Sequence, residues 1–423
     1  MKIIVTGDNG ESLPPPYGGI IKRCLLHAVE WRALGAEVTI HLHHRHTKEQ
    51  DLGANATYVA DFASAPNVLD KTVFLFRQFF INPALFTKIL YKQIALSRDW
   101  KLLDLAMYSA ARGVHLNTVC QKNRPDIMVT ETGSLQSLSA LMVAKKQNIP
   151  VVMENYAEIQ FKADAENNNI SERYHRLWKT LVNGVDCVVA ASDYCARGPR
   201  LYAAENAKIA VVYSGINFSI FNSATERSLS REEFNLPKDK FIVMAVGALK
   251  MRKGHDQLFE SILQLPPEKM KNLAVVLCGM GPVDTLRQTA IELGFPSDSL
   301  FIFQGLTEDA LARLYSGADA FCFPSITPRE CMGMAMKEAM AVGLPVAAYN
   351  TGGISEAIED QVNGFLVPTG DRAALAQAVE KIMELPAERL QEIRQQNINK
   401  SRNLFDINKT ARQLYDLFQE IIA

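Results

Sequence analysis

The stretch Asp319-Ala-Phe-Cys-Phe-Pro-Ser325, then Ile326-Thr-Pro-Arg-Glu330, then Cys331-Met-Gly333-Met-Ala-Met-Lys-Glu338-Ala-Met-Ala-Val-Gly343 decides the fold. Its first part is apolar and reads as a buried strand, ended by Pro324, Ser325 and Pro328. From about Gly333 the residues are good helix formers, and Gly343 followed by Pro345 stops the helix. The order is strand, loop, helix. Glu330 falls in the loop, and Glu338 falls roughly a turn and a half into the helix at about 1.5 Å per residue. The first amides of such a helix, at Gly333, Met334 and Ala335, lie at the positive end of its dipole and form a seat for a phosphate. Gly333 lets a ligand come close to the backbone. Carboxylates accept hydrogen bonds from paired sugar or ribose hydroxyls, so Glu330 and Glu338 beside an anion seat suit a sugar nucleotide. The bland alternative is an ordinary turn with two solvated glutamates.

The chain has 423 residues, for which two domains are the natural expectation. A formal net charge of -1 argues against a dedicated nucleic-acid binder. The seven cysteines are scattered and form no CxxC pair, which fits buried thiols in a reducing compartment. The chain opens on a strand, Lys2-Ile-Ile-Val-Thr6, with no signal-peptide pattern, and no apolar run is long enough for a transmembrane helix. A cytoplasmic protein is expected.

Along the first half, strands alternate with helices. Gly18 and Gly19 precede a helix from Ile20 to about Leu34, and Glu37–His41 is the next strand. A Gly-Gly pair before a helix again turns amides towards an anion, although a proline-glycine loop is usually only a turn. Strands follow at 126–130, 150–153, 186–191 and 208–213, with a helix over 134–146. This alternation implies parallel, doubly wound sheets whose ligands sit at the carboxyl ends of the strands. His41, His43, His44 and His46 make a histidine cluster without an acidic or cysteine partner nearby, so no metal site is expected. Residues 71–101 mix Phe74, Phe76, Phe79, Phe80, Phe86, Tyr91 and Trp100 with Lys71, Arg77, Lys88, Lys92, Arg98 and Lys101. Pro83 divides the stretch into two helices. It reads either as a peripheral membrane contact or as core helices with a solvated basic side.

In the second half, Phe241–Gly247 is a strand, followed by the basic loop Lys250-Met-Arg252-Lys253-Gly254 and a helix from about His255. Adjacent Arg and Lys at a strand end can clamp a diphosphate. Strands follow at 272–281 and 299–305, and helices at 371–385 and 409–422. Gly279-Met-Gly281 is not a dinucleotide fingerprint, which disfavours an NAD dehydrogenase.

Glu330 and Glu338 have seven residues between them. After them come Gly343-Leu-Pro-Val346, Thr351-Gly-Gly353-Ile-Ser-Glu356 and Asn363-Gly-Phe-Leu-Val-Pro-Thr-Gly-Asp371. This order and spacing resembles the glutamate–seven–glutamate signature and downstream blocks of the retaining family-4 glycosyltransferases. The resemblance implies an α/β protein of the GT-B fold, two Rossmann-like doubly wound domains facing a central cleft. An acceptor-side domain would span 1–214, with 405–423 as a helix crossing back onto it, and a donor-nucleotide domain would span 215–404. It implies transfer of a sugar from a nucleotide-diphosphate donor, a UDP- or GDP-sugar, to a hydroxyl with retention, in glycan, glycolipid or polysaccharide synthesis. No cofactor, metal or nucleic acid is implied. The acceptor would be a glycan or lipid-linked, met at the inner face of the membrane if residues 71–101 touch it.

By the same resemblance, Arg252 and Lys253 hold the donor diphosphate, Glu330 the hexose hydroxyls and Glu338 the ribose. The amides of Gly333, Met334 and Ala335 complete the donor seat, the base lies near Leu306, and Gly18 and Gly19 lie over the phosphates. Two departures stand out. Ala248 occupies a position where the family often has arginine, and Arg252 is the substitute. Many members also carry a histidine after the strand beginning at Pro150, where this chain reads Met153-Glu154-Asn155-Tyr156. Tyr156 falls at that place with Glu154 two residues before, and either can hydrogen-bond near the reacting carbon. Packing at a strand end is an equal alternative for Tyr156. A GT-B epimerase or hydrolase acting on the same donor, and a non-catalytic sugar-nucleotide binder, are the other functional readings.

Overall fold

Apolar runs separated by amphipathic segments bury a strand on both faces, and that demands a parallel sheet covered by helices on each side. The computed structural model, which describes residues 1–7, 19–42, 57–60, 68–98, 100–131, 133–156, 159, 168–222, 224–328 and 330–423, has this architecture twice. The chain divides into two compact units, Met1–Ser214 with Ile407–Ala423, and Gly215–Asp406.

The first unit holds β1 (Lys2–Gly7), β2 (Glu37–Leu42), β3 (Thr57–Ala60), β4 (Ile127–Glu131), β5 (Val151–Asn155), β6 (Cys187–Ala190) and β7 (Ile209–Val211). All pairings are parallel, in the order β3-β2-β1-β4-β5-β6-β7. The pleat sorts alternate side chains to opposite faces. Ile4, Met128, Met153 and Val188 face one core, shared with helices Leu103–Asn123, Leu135–Gln147 and Asn168–Val182. Ile3, Val5, Ile127, Val129, Val152 and Val189 face the other, against helices Gly19–Ala33 and Ile407–Ile422. The last helix is fastened there by Trp31, whose Nε1 donates to the Ala411 carbonyl at 3.1 Å and whose ring meets Phe418 edge-on. Phe405 ends helix Ala387–Phe405 in the second unit, so the chain returns to the first unit after Asp406.

The second unit holds β8 (Phe241–Val246), β9 (Leu273–Cys278), β10 (Leu300–Phe303), β11 (Ala320–Phe323), β12 (Val346–Tyr349) and β13 (Gly364–Val367), in the order β10-β9-β8-β11-β12-β13 and all parallel. In both units the strand order reverses beside the first strand, between β1 and β4 and between β8 and β11. Such a switch point opens a crevice at the carboxyl ends of the strands, where ligands of doubly wound sheets bind.

The opposite, amino edge is closed by a repeated device. An aspartate stands just before β4, β6 and β11, and its carboxylate accepts an amide from the first or second residue of the neighbouring strand. The bonds are Lys2 N to Asp126 at 2.6 Å, Val151 N to Asp186 at 2.7 Å and Ile242 N to Asp319 at 2.7 Å. Each aspartate amide donates in return to the carbonyl of the same residue. Asp319 also binds Arg231 and Arg227, each at 2.5 Å, which ties helix Arg227–Glu233 to the sheet.

Pro83 does divide residues 71–101. Helix Val68–Ile81 gives way to Pro83–Ser97, with Asn82 capping the second by accepting from Leu85 N at 3.1 Å. Helix Leu103–Asn123 is an addition to the sequence reading. Residues Ser109 to Val114 are all buried along it, so it has no polar face to give it a visible period. Gly113 is its point of closest contact, where a Cβ would come within 2.6 Å of Ile89.

Asp319→Ala strips a buried amide and the Arg231 guanidinium of their acceptor. It is expected to cost about 3–5 kcal/mol, read by urea unfolding. A loss under about 1 kcal/mol would show that the aspartate does not hold this edge together.

Candidate functional site

The carboxyl edge of the second unit is built from the loops after β8 and β11. A 3-10 turn, Met251–Lys253, follows β8 and ends at Gly254, whose φ of 71° is left-handed. Only glycine fits there, because a Cβ would stand 1.9 Å from the Pro324 carbonyl oxygen. This contact presses the β8 loop onto the β11 loop. Across it, Lys253 Nζ forms an ion pair with Glu330 Oε1, and Ser325 Oγ donates to the same oxygen at 3.0 Å. Glu330 is 6% exposed. Its carbonyl accepts from Gly353 N at 3.2 Å, and Gly352 lies so close beneath it that a Cβ would sit 1.7 Å from that oxygen. Arg252 is exposed, and no ion pair engages its guanidinium among the described residues. His255, which opens the next helix, is buried against the Ala248 carbonyl, and burial lowers its pKa.

Gly333 is the N-cap of helix Met334–Val342, with a φ of 62° that places its Cα against the Phe323 ring. Gly333, Met334 and Ala335 are half-buried, while the rest of the helix is buried. The first intrahelical bond runs from Lys337 N to Gly333 O, so the preceding amides point out of the helix end. Gly343 closes the helix in a left-handed conformation. Glu338 is 3% exposed and accepts at 3.1 Å from the Tyr315 hydroxyl, which burial and then the Glu338 charge hold well above the usual phenol pKa. Leu306 is half-buried after the edge strand β10, two strands from β8. Gly279 and Gly281 serve close packing, since a Cβ on Gly279 would lie 1.8 Å from the Gly247 carbonyl.

The first unit has its own polar cluster at the carboxyl ends of β4 and β5. Arg23, buried in helix Gly19–Ala33, pairs its Nη2 with Glu154 Oε1 at 3.1 Å and lies 4.8 Å above the Tyr156 ring. The Tyr156 hydroxyl donates to Glu154 Oε2 at 2.5 Å. Glu154 is thus committed on both oxygens, and Tyr156 is half-buried beside it. Glu131 is buried next to Glu154 in register. Gly18, His43, His44 and His46 lie outside the described residues, and Gly19 is the first residue of its helix. His41 is buried and bonds Thr6 and His115, each at 3.0 Å. Burial, with Arg112 and Arg77, lowers the His115 pKa to about 4. Among the described residues no group of three or more ligating side chains could hold a metal.

Tyr315, Arg23 and Glu131 escape the sequence reading, and Ser325 reads there only as a strand terminator. Ser325 stands five residues from Glu330 in the quoted stretch, whereas Arg23 meets Glu154 across 131 residues, a separation that leaves no local signal.

A parallel α/β sheet repeated twice, each with a polar ligand edge at its switch point, is the architecture of GT-B glycosyltransferases. Residues 18–215 match the family model for the glycosyl transferase 4-like domain, and residues 226–402 match that for glycosyl transferases group 1. Together they place the chain among the family-4-like glycosyltransferases of GT-B type. It is 25% identical over 331 residues to a putative colanic acid biosynthesis glycosyltransferase, WcaL, of Escherichia coli (strain K12), covering 76% of this chain and 78% of that protein. It is 29% identical over 259 residues to the D-inositol 3-phosphate glycosyltransferase of Streptomyces avermitilis, covering 58% of this chain and 55% of the relative, so the chain spans about half the length of that protein. Among solved structures, sucrose-phosphate synthase from Thermosynechococcus elongatus superposes with a TM-score of 0.74 at 20% identity, over 99% of this chain and 98% of that one. HepE from Anabaena, in complex with UDP and glucose, superposes with a TM-score of 0.73 at 18% identity, over 99% of each chain.

Gly254→Ala forces both left-handed strain of roughly 1–2 kcal/mol and a clash with Pro324. It is expected to lower the urea midpoint of the second unit measurably. An unchanged midpoint would mean that the two loops are not pressed together.

Proposed function

We propose that the chain transfers a sugar from a nucleotide-diphosphate donor, a UDP- or GDP-sugar, to an acceptor hydroxyl with retention of anomeric configuration. The observation that carries the reading is the composition of one edge. Two cations, Arg252 and Lys253, the amides at Gly333, Met334 and Ala335, and two carboxylates, Glu330 and Glu338, all flank the switch point between β8 and β11. The similar HepE structures hold UDP, UDP with glucose, and UDP-glucose, which supports a uridine donor.

In this reading the diphosphate is the leaving group. Its growing charge is met by Arg252, Lys253 and the helix amides, donors already oriented before reaction. Lys253 shifts its hydrogen bonds from Glu330 towards the phosphate, and Glu330 then holds the hexose hydroxyls. Tyr315 orients the Glu338 carboxylate for the ribose. Among the described residues no side chain at this edge is assigned as a nucleophile. The acceptor hydroxyl attacks on the face from which the diphosphate departs, and the phosphate takes its proton. The first unit receives the acceptor, with Glu154 and Tyr156, locked by Arg23, at its carboxyl edge.

Glu338→Ala should weaken binding of the nucleoside diphosphate by about 1.5–3 kcal/mol, the worth of a hydrogen bond to a charged group. Glu330→Ala should spare that ligand and weaken the intact sugar nucleotide. Calorimetry with UDP and UDP-glucose, and with GDP and GDP-mannose, separates the two. Equal losses for both ligands in both variants would remove the assignment, and sugar release from donor alone at the full rate would favour hydrolysis over transfer.

The proposed acceptor lies at the cytoplasmic face of a membrane. No single described helix is long and apolar enough to cross one, but helices Thr72–Ile81 and Pro83–Ser97 meet at 114° and are apolar together. Their outer side exposes Phe80 and Tyr91, each 74% accessible, with Val73, Phe76 and Ile81. Arg77, Lys88, Lys92 and Arg98 are exposed with them. Each cation near an anionic leaflet contributes on the order of 1 kcal/mol and is screened by salt. The protein is expected to pellet with phosphatidylglycerol vesicles at low salt and to leave them at high salt. Changing Lys88, Lys92 and Arg98 together to Glu should abolish pelleting with nucleotide binding unchanged. Wild-type protein that ignores the vesicles at low salt would point to an acceptor met in solution.

A further inference from the structure

The two carboxylate oxygens of Glu330 are used differently. Oε1 carries the ion pair to Lys253 Nζ and accepts from the Ser325 hydroxyl at 3.0 Å. Oε2 takes no hydrogen bond among the described residues. A carboxylate offers about two acceptor sites on each oxygen, so Oε1 is filled and Oε2 is the oxygen left for a ligand. Which way Oε2 points is decided by whatever holds Oε1.

The two donors on Oε1 differ in mobility. Lys253 is a point charge on a flexible stem, and a diphosphate attracts it. Ser325 is neutral and 1% exposed. It follows Pro324, whose carbonyl is pressed against Gly254, so its backbone is fixed just after β11. The turn beyond it brings Glu330 back into reach. Glu330 N donates to the Thr327 carbonyl at 3.2 Å, and Thr351 Oγ1 donates to the same carbonyl at 3.3 Å. The serine hydroxyl has a single hydrogen and two acceptors near it, Glu330 Oε1 at 3.0 Å and the Arg252 carbonyl at 3.4 Å. The shorter contact is to a charged oxygen and is the stronger of the two.

We propose that Ser325 is a positioning residue for the donor sugar: its hydroxyl keeps hold of Glu330 Oε1 when Lys253 turns to the diphosphate, and so keeps Oε2 turned to the hexose hydroxyls. This rests on the sugar-nucleotide reading and adds a division of labour to it. The mobile cation serves the phosphate, and the fixed hydroxyl serves the carboxylate. A nucleoside diphosphate has no hexose to meet Oε2, so Ser325 matters for the intact sugar nucleotide and not for the nucleotide alone. A merely structural serine at this loop would affect both ligands alike.

The test is calorimetry on the full chain with UDP and UDP-glucose, and with GDP and GDP-mannose, using whichever pair binds. Ser325→Ala is expected to weaken the sugar nucleotide about tenfold, the worth of one hydrogen bond to a charged group, and to shift the nucleoside diphosphate by less than about twofold. Ser325→Cys, similar in size and a weak donor, should fall between the wild type and Ser325→Ala. A residue that acts through Glu330 has nothing to hold once that carboxylate is gone. Adding Ser325→Ala to Glu330→Ala should therefore weaken the sugar nucleotide by less than about a further twofold. Equal losses for both ligands in Ser325→Ala, or losses that add in the double variant, would overturn the proposal. Sugar-nucleotide binding that falls with Glu330→Ala but not with Ser325→Ala removes this inference alone. Wild-type protein that binds neither pair removes the donor reading and this inference with it.

Discussion

The Lys253–Glu330 ion pair joins the loop after β8 to the loop after β11, and the ligand edge of the second unit depends on it. Both groups are largely withdrawn from water, so each needs the other, and removing either strands a charge. The loops are drawn together by backbone contact as well, with Gly254 against Pro324 and Gly352 against Glu330. The pair therefore sits in a frame of glycines that fixes where the carboxylate points before any ligand arrives. Ser325 completes the frame by holding the same carboxylate oxygen. An ammonium has three hydrogens to offer, so Lys253 can take on a phosphate oxygen without abandoning Glu330 altogether. In the proposed reading the cation that holds Glu330 is also the one that meets the phosphate.

The two units share a topology and differ at their edges. In the second, Arg252 is open to solvent on its loop, while Lys253, Glu330 and Glu338 stand largely buried at loops and a helix. In the first, Arg23, Glu154 and Tyr156 are closed on one another, and the guanidinium, carboxylate and phenol are each used to fix the next. Both oxygens of the Glu154 carboxylate are already engaged, one by Arg23 and one by Tyr156. The first edge therefore offers shape and orientation, while the second offers charge.

Much of this was legible in the sequence because it is local. The strand ending at Phe323, the stop at Gly343, the turn at Gly254 and the break at Pro83 each follow from a few neighbouring residues, and the strand–helix alternation implies parallel sheets. The rest is hidden for two physical reasons. Helix Leu103–Asn123 is surrounded by its neighbours, so its small apolar residues show no face. Arg23 and Tyr315 matter through partners far along the chain, and a single sequence does not record which distant residues meet. Tyr156 could be singled out by its place after β5, but the closure of Arg23 over it is a property of the folded unit alone.

The aspartates before β4, β6 and β11 carry a further consequence. Each forms a closed ring of two hydrogen bonds with a single residue of the adjacent strand, amide to carboxylate and carbonyl to amide. Such a ring closes in only one register. Sliding the neighbour by one residue would turn a side chain of the wrong face inward and set the carboxylate against a carbonyl oxygen, where two acceptors repel. Parallel strands are joined by long crossovers and have no hairpin to set their alignment. The three aspartates act as alignment marks along the amino edge, so the loops that carry function at the other edge can vary in length and composition without shifting the sheets beneath them.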